Sequence, residues 1–119
     1  MELAIKIEEF LKLIDTIRPE YNRNFEIVGE MDKQAQDQLH SLELDNLNYK
    51  ERAKLATQMY KSRKERRYAK DMVSLLEPFE FWISDQLNAK AINKLKIVLG
   101  EVRKKEDAMA KRIYRKRGN

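Results

Sequence analysis

Apolar residues recur along this chain at alternating steps of three and four. Leu3, Ile7, Phe10, Ile14 and Ile17 draw the first such stripe, which predicts an amphipathic helix from about Glu2 to Arg18. Ile5, Leu11 and Leu13 widen the apolar surface, so this helix is expected to be buried on more than one side or to dock onto something else. Pro19 is expected to close it, because the residue before a proline is pushed out of helical geometry. Tyr21, Phe25, Ile27 and Val28 follow without clear period, and Gly29 reads as a break. Asp32 would then cap a short helix through about Leu44, with Ala35, Leu39 and Leu42 on one face.

The next stripe is longer. Leu55, Met59, Ser62, Arg66, Ala69, Val73 and Leu76 step by four and three, preceded by Asn48 and Glu51 at the spacing of a capping box. Ser62 and Arg66 interrupt the seam, and polar residues at such positions often set register. Pro78 is expected to end or kink this helix. The aromatic cluster Phe79, Phe81, Trp82 and Ile83 would then close the core where the chain turns. A last helix is predicted from an Asn88 cap, with Leu87 and Ile92 as a hydrophobic staple. Its seam is Ile92, Leu95, Leu99, Val102, Glu106, Met109 and Ile113, with Glu106 alone polar. The fold class expected is all-α: a helical bundle with a long antiparallel coiled-coil-like hairpin (about 49–77 and 89–115) and an N-terminal amphipathic helix packed on it. Arg66 and Glu106 are candidates to face each other across that hairpin.

Composition narrows this further. The 119 residues suit a single domain. Charged residues make up 38%, which suits helices that bury one stripe and solvate the rest. Three glycines, two prolines and no β-branched runs argue against a sheet. No cysteine is present, which excludes disulfides, thiolate metal sites and cysteine nucleophiles. No stretch approaches the roughly 20 apolar residues of a membrane span. The acidic residues in MELAIKIEEF argue against a secretory signal, so a cytoplasmic location is expected.

The net charge of +5 is unevenly spread. Residues 1–48 form an acidic helical segment with 11 acids and 5 bases, while residues 49–77 carry 9 bases and 4 acids. Residues 101–119 carry 8 bases and 3 acids, ending in a basic tail at 116–119. One reading folds the acidic part against the basic part. The other leaves basic surface free for a polyanion.

No residue pattern points to catalysis. His40 is the only histidine and lacks the partners a metal site requires. The serines and threonines lie in or near helices, none within a nucleophile elbow, and no glycine-rich loop is present to cradle phosphate. No catalytic, cofactor-binding or metal-ligating residue is therefore assigned. The strongest functional feature is Arg63, Lys64, Arg66, Arg67 and Lys70, most of which share one helix face. A second cluster follows at Lys111, Arg112, Arg115, Lys116 and Arg117. Arginine forks match phosphate geometry, although bases near a helix C-terminus also favour the helix dipole.

The stretches 39–82 and 92–106 resemble small helical accessory proteins of unassigned function from phages and prophages of Gram-positive bacteria. The likeness rests on KERAKLA, RKERR, LEP and Leu95–Lys104 (LKIVLGEVRK), and covers about residues 39–105. It implies an accessory protein in the bacterial host cytoplasm and brings no functional residues with it. The expectation is a non-enzymatic protein that binds a bacterial or phage protein partner, such as nucleic-acid machinery or a defence system, through helical surfaces. The alternatives are nucleic-acid binding through the two basic clusters and a structural or assembly role. A homodimer is expected, because seams left uncovered would demand a partner.

Overall fold

A computed structural model describes residues 2–118, with side-chain surroundings from Glu2 to Arg112. Three helices account for nearly all of it: α1 (Leu3–Leu44), α2 (Tyr49–Ser84) and α3 (Gln86–Gly118). There is no strand among the described residues, and α1 packs against α2. The all-helical hairpin bundle is thus the fold that forms, with boundaries and pairings that differ from the sequence expectation.

Neither proline ends its helix. Pro19 lies inside α1 and Pro78 inside α2. Both are exposed, so the carbonyl that each deprives of an amide donor faces solvent, and side-chain burial continues on either side. Gly29 does not break α1 either, and no described residue has positive φ. A line of buried and half-buried positions along α1 runs Ala4, Ile7, Leu11, Ile14, Ile17, Tyr21, Asn24, Val28, Met31, Ala35 and Gln38, with Glu8, Glu20, Ile27 and Ser41 also half-buried. This is one heptad-like stripe, masked in the sequence because Asn24 and Gln38 are polar. It also shifts the expected face by one residue: Leu3 and Phe10 are 56% and 45% exposed, whereas Ala4 and Leu11 are buried. Asp32 is an exposed residue in mid-helix and caps nothing.

The chain divides into two compact units, Met1–Ile17 with Glu80–Asn119, and Arg18–Phe79. In the second unit α1 and α2 run antiparallel, joined through residues 45–48, a length typical of helical hairpins. Asn48 caps α2 as expected, its Oδ1 accepting the Glu51 amide at 2.9 Å. All seven expected α2 seam positions, Leu55 to Leu76, are buried or half-buried. Asn24 is the buried polar residue of this unit, donating from Nδ2 to the Glu20 carbonyl at 2.8 Å.

In the first unit α3 pairs with the N-terminal part of α1. The Ala4 amide donates to Glu106 Oε1 at 3.2 Å, and Arg103 meets Glu8 at 3.3 Å. The order of these pairs makes the helices antiparallel. α1 has no acid in its own first turn, so Glu106 supplies from α3 the negative charge that a helix N-terminus favours. The expected α3 seam is buried or half-buried from Ile92 to Glu106, while Met109 is 41% exposed.

α1 pairs with α2 in one unit and with α3 in the other. Asp85 is the single residue between α2 and α3. The Asp85 amide still donates to the Phe81 carbonyl at 3.2 Å, and the Ala89 amide to the Asp85 carbonyl at 2.9 Å. Asp85, not Asn88, caps α3, its Oδ1 accepting the Leu87 and Asn88 amides at 2.9 and 3.3 Å. The Asn88 side chain instead donates to the Trp82 carbonyl at 2.9 Å, satisfying the end of α2.

Candidate functional site

The polar interruptions of the α2 seam explain where its charge goes. Ser62 Oγ donates to Gln34 Oε1 at 3.2 Å and accepts from Gln38 Nε2 at 3.3 Å. One turn on, Arg66 Nε meets Asp32 Oδ1 at 2.6 Å. Each seam interruption on α2 thus finds a polar partner on α1. Arg66 is paired with Asp32, and Glu106 accepts from the Ala4 amide. The α1 side of this layer is Asp32, Gln34 and Gln38, three polar residues within two turns of the helix.

The other expected bases of α2 behave differently. Arg63, Lys64, Arg67 and Lys70 are exposed. Among the described residues none of these four has a carboxylate partner. The acidic N-terminal third therefore neutralises Arg66 and leaves its neighbours charged. Helical spacing sorts them into two adjacent rows. Arg63, Arg67 and Lys70 form one, and Tyr60, Lys64 and Tyr68 form the other. Tyr60 and Tyr68 are 60% and 66% exposed, and Lys64 Nζ lies 4.7 Å from the Tyr60 ring centroid. The result is a basic surface with aromatic faces set into it.

Beside this surface the α1–α2 seam opens into two polar grooves. One, of about 300 Å³, is lined by Asp32, Ala35, Ser62, Arg63 and Arg66 among others. The other, of about 390 Å³, is lined by Gln34, Asp37, Gln38, Gln58, Lys61 and Ser62. Among the described residues no three carboxylates or histidines are grouped to hold a metal ion. His40 is exposed on α1. Lys111 and Arg112 are exposed on α3, in the first unit. The side chains of Arg115, Lys116 and Arg117 lie outside the described residues.

No known protein family, curated protein or solved structure matches the chain. No described helix is long and apolar enough to cross a membrane.

Proposed function

We propose that this chain acts by binding rather than by catalysis, and that the α2 surface around Arg63, Lys64, Arg67 and Lys70 grips the phosphate backbone of a nucleic acid. The observation that carries this reading is that four exposed bases within two turns have no carboxylate to neutralise them. Desolvated arginine and lysine pairs with phosphate release counterions, which is the main source of non-specific affinity. Tyr60 and Tyr68 add exposed rings of the kind on which unpaired bases stack. Lys111 and Arg112, both exposed, are a secondary anion surface. The phage-like pattern of residues 39–105 supports a bacterial host as the setting.

A protein partner is the second reading. It is favoured by the number of large apolar side chains left exposed, including Leu75 at 73% and Phe81 at 63%. Salt weakens binding to an acidic protein and to a nucleic acid alike, so direct binding to labelled nucleic acid decides between them.

The test is fluorescence anisotropy with a labelled 20-base-pair duplex and the matching single strand. Four phosphate contacts imply a loss of duplex affinity of about a hundredfold between 50 and 200 mM salt. Neutralising R63Q/K64Q/R67Q/K70Q is expected to abolish binding with unchanged helicity, since all four side chains are exposed. Tighter binding to the single strand assigns the tyrosines a stacking role. Absence of binding to both at 50 mM salt, or binding that survives the quadruple substitution, refutes the reading.

A further inference from the structure

The first unit is a two-helix hairpin with more apolar surface than its seam uses. On α1, Leu3, Phe10 and Leu13 stand one residue before the buried Ala4, Leu11 and Ile14, and are 56%, 45% and 49% exposed. On α3, Val98 stands one residue before the buried Leu99 and is 43% exposed. Met109 continues that line three residues beyond Glu106, at 41% exposure. A step of one residue N-terminal rotates a side chain about 100° around the helix axis, in the same sense on both helices. Because the helices run in opposite directions, the same rotation brings both extra stripes to the same side of the hairpin. The unit therefore has a packed seam and, beside it, one apolar face built from both helices.

We propose that this face is covered by a second copy of the same face, forming a four-helix interface in which α1 of each protomer packs on α3 of its partner. Three observations select this occupant. First, the face is two-stranded and roughly level, which suits another two-helix hairpin better than a single helix laid in a groove. Second, the charges are complementary between helices rather than within them. Residues 2–17 carry 4 acids and 2 bases, whereas residues 86–112 carry 8 bases and 3 acids. Packing α1 on α1 opposes acid with acid, while packing α1 on α3 opposes acid with base. Third, the area is suitable. Five large side chains about half exposed present on the order of 400–500 Å² of apolar surface. With a polar rim this approaches the roughly 800 Å² per partner of a stable interface.

A two-fold axis parallel to the helices generates this packing and preserves heights along the hairpin. Ala4 lies level with Glu106, and Glu8 with Arg103. The same register sets Leu13 opposite the Val98 level of the partner and Leu3 opposite the Met109 level. The chain has no cysteine, so introduced thiols report this directly.

The experiment combines sedimentation equilibrium from 1 to 200 µM with thiol cross-linking. The intact chain is expected to be a dimer at tens of micromolar. F10K/L13K is expected to weaken association at least tenfold at unchanged helicity. I97K is expected to remain dimeric, because Ile97, 65% exposed, points away from the buried seam, about 100° round α3 from Val98. An equimolar mixture of L13C and V98C chains is expected to form the mixed disulfide in preference to either homodisulfide. A chain that is monomeric throughout the concentration range overturns the proposal, as does a dimer that tolerates F10K/L13K. Preferential L13C homodisulfide overturns the packing of α1 on α3. Because these substitutions lie in the first unit and the proposed nucleic-acid surface in the second, loss of one property leaves the other measurable.

Discussion

If Asp32 fixes Arg66 in the α1–α2 seam, the two residues are energetically coupled and the coupling is electrostatic. The contact is short at 2.6 Å, yet the side chains are 38% and 55% exposed. Screening by solvent therefore limits the pair to about 0.5–1 kcal/mol. R66A loses this and also the half-buried aliphatic stem, for a total of roughly 1–2 kcal/mol. D32A leaves a guanidinium that water can reach, and is expected to cost only about 0.5–1 kcal/mol. The double-mutant cycle D32A, R66A and D32A/R66A, followed by far-ultraviolet circular dichroism in urea, isolates the pairwise term. Its value should fall by at least half between 50 mM and 1 M NaCl. R66M keeps the stem and removes the charge, so its stability should be close to that of the unaltered chain. A coupling near zero, or one indifferent to salt, refutes the assignment. R66M as destabilising as R66A would show that charge, rather than packing, dominates at this position.

Three further substitutions test the helix ends and the proline. D85A removes the acceptor for two first-turn amides of α3 and should lower stability by about 1 kcal/mol, while N88A, which leaves that cap intact, should cost less. N48A should cost about 1 kcal/mol through the lost cap of α2, with N48D retaining most of the stability in urea titrations. P19A restores an amide to the interior of α1 at an exposed position and should raise the melting temperature by several degrees.

The helical class and the seams of α2 and α3 were legible because long amphipathic stripes impose a period that no other element shares. The α2 seam was correct at every position, including Ser62 and Arg66, because the step of three and four identifies a buried line whatever occupies it. The continuity of α1 was hidden for the opposite reason. A rule that tracks apolar residues loses the stripe where Asn24 and Gln38 occupy it, and Pro19 and Gly29 then look like ends. Proline is a strong local signal, but at Pro19 and Pro78 it acts on a solvent-facing turn while packing on the other side holds the helix together. The one-residue frame error at Leu3 and Phe10 arose because α1 carries two apolar lines side by side, and local periodicity cannot say which one the neighbouring helix covers. The cap of α3 was assigned to Asn88, three residues after the Asp85 that makes it, because both residue types are good N-caps.

The arrangement of Arg66 and its neighbours links fold to function. Placing a base in a helix seam is unfavourable unless its charge is answered, and here the answer comes from Asp32. That pair matches one position of α2 to one position of α1, as Ser62 does with Gln34 and Gln38 one turn away. A slip by one heptad would separate all of these groups at once, so the polar layer selects a register that apolar seams alone specify weakly. The same register turns the residues flanking Arg66 outward. Arg63, Arg67 and Lys70 stand a turn or less from the paired arginine but form no ion pair among the described residues. One base in the run therefore serves the fold, and its neighbours are held at fixed spacing on a rigid helix with their charge exposed. On this reasoning, shifting the α1–α2 register should damage anion binding even when every exposed base is retained. Exchanging the pair as D32R/R66D tests it: the swapped pair preserves the register, so affinity for the labelled duplex should stay within about threefold of the unaltered chain, whereas D32R alone, which sets two arginines against each other, should lower both stability and affinity. Equal affinity in D32R and in the swapped pair would mean that the exposed bases act without help from the seam.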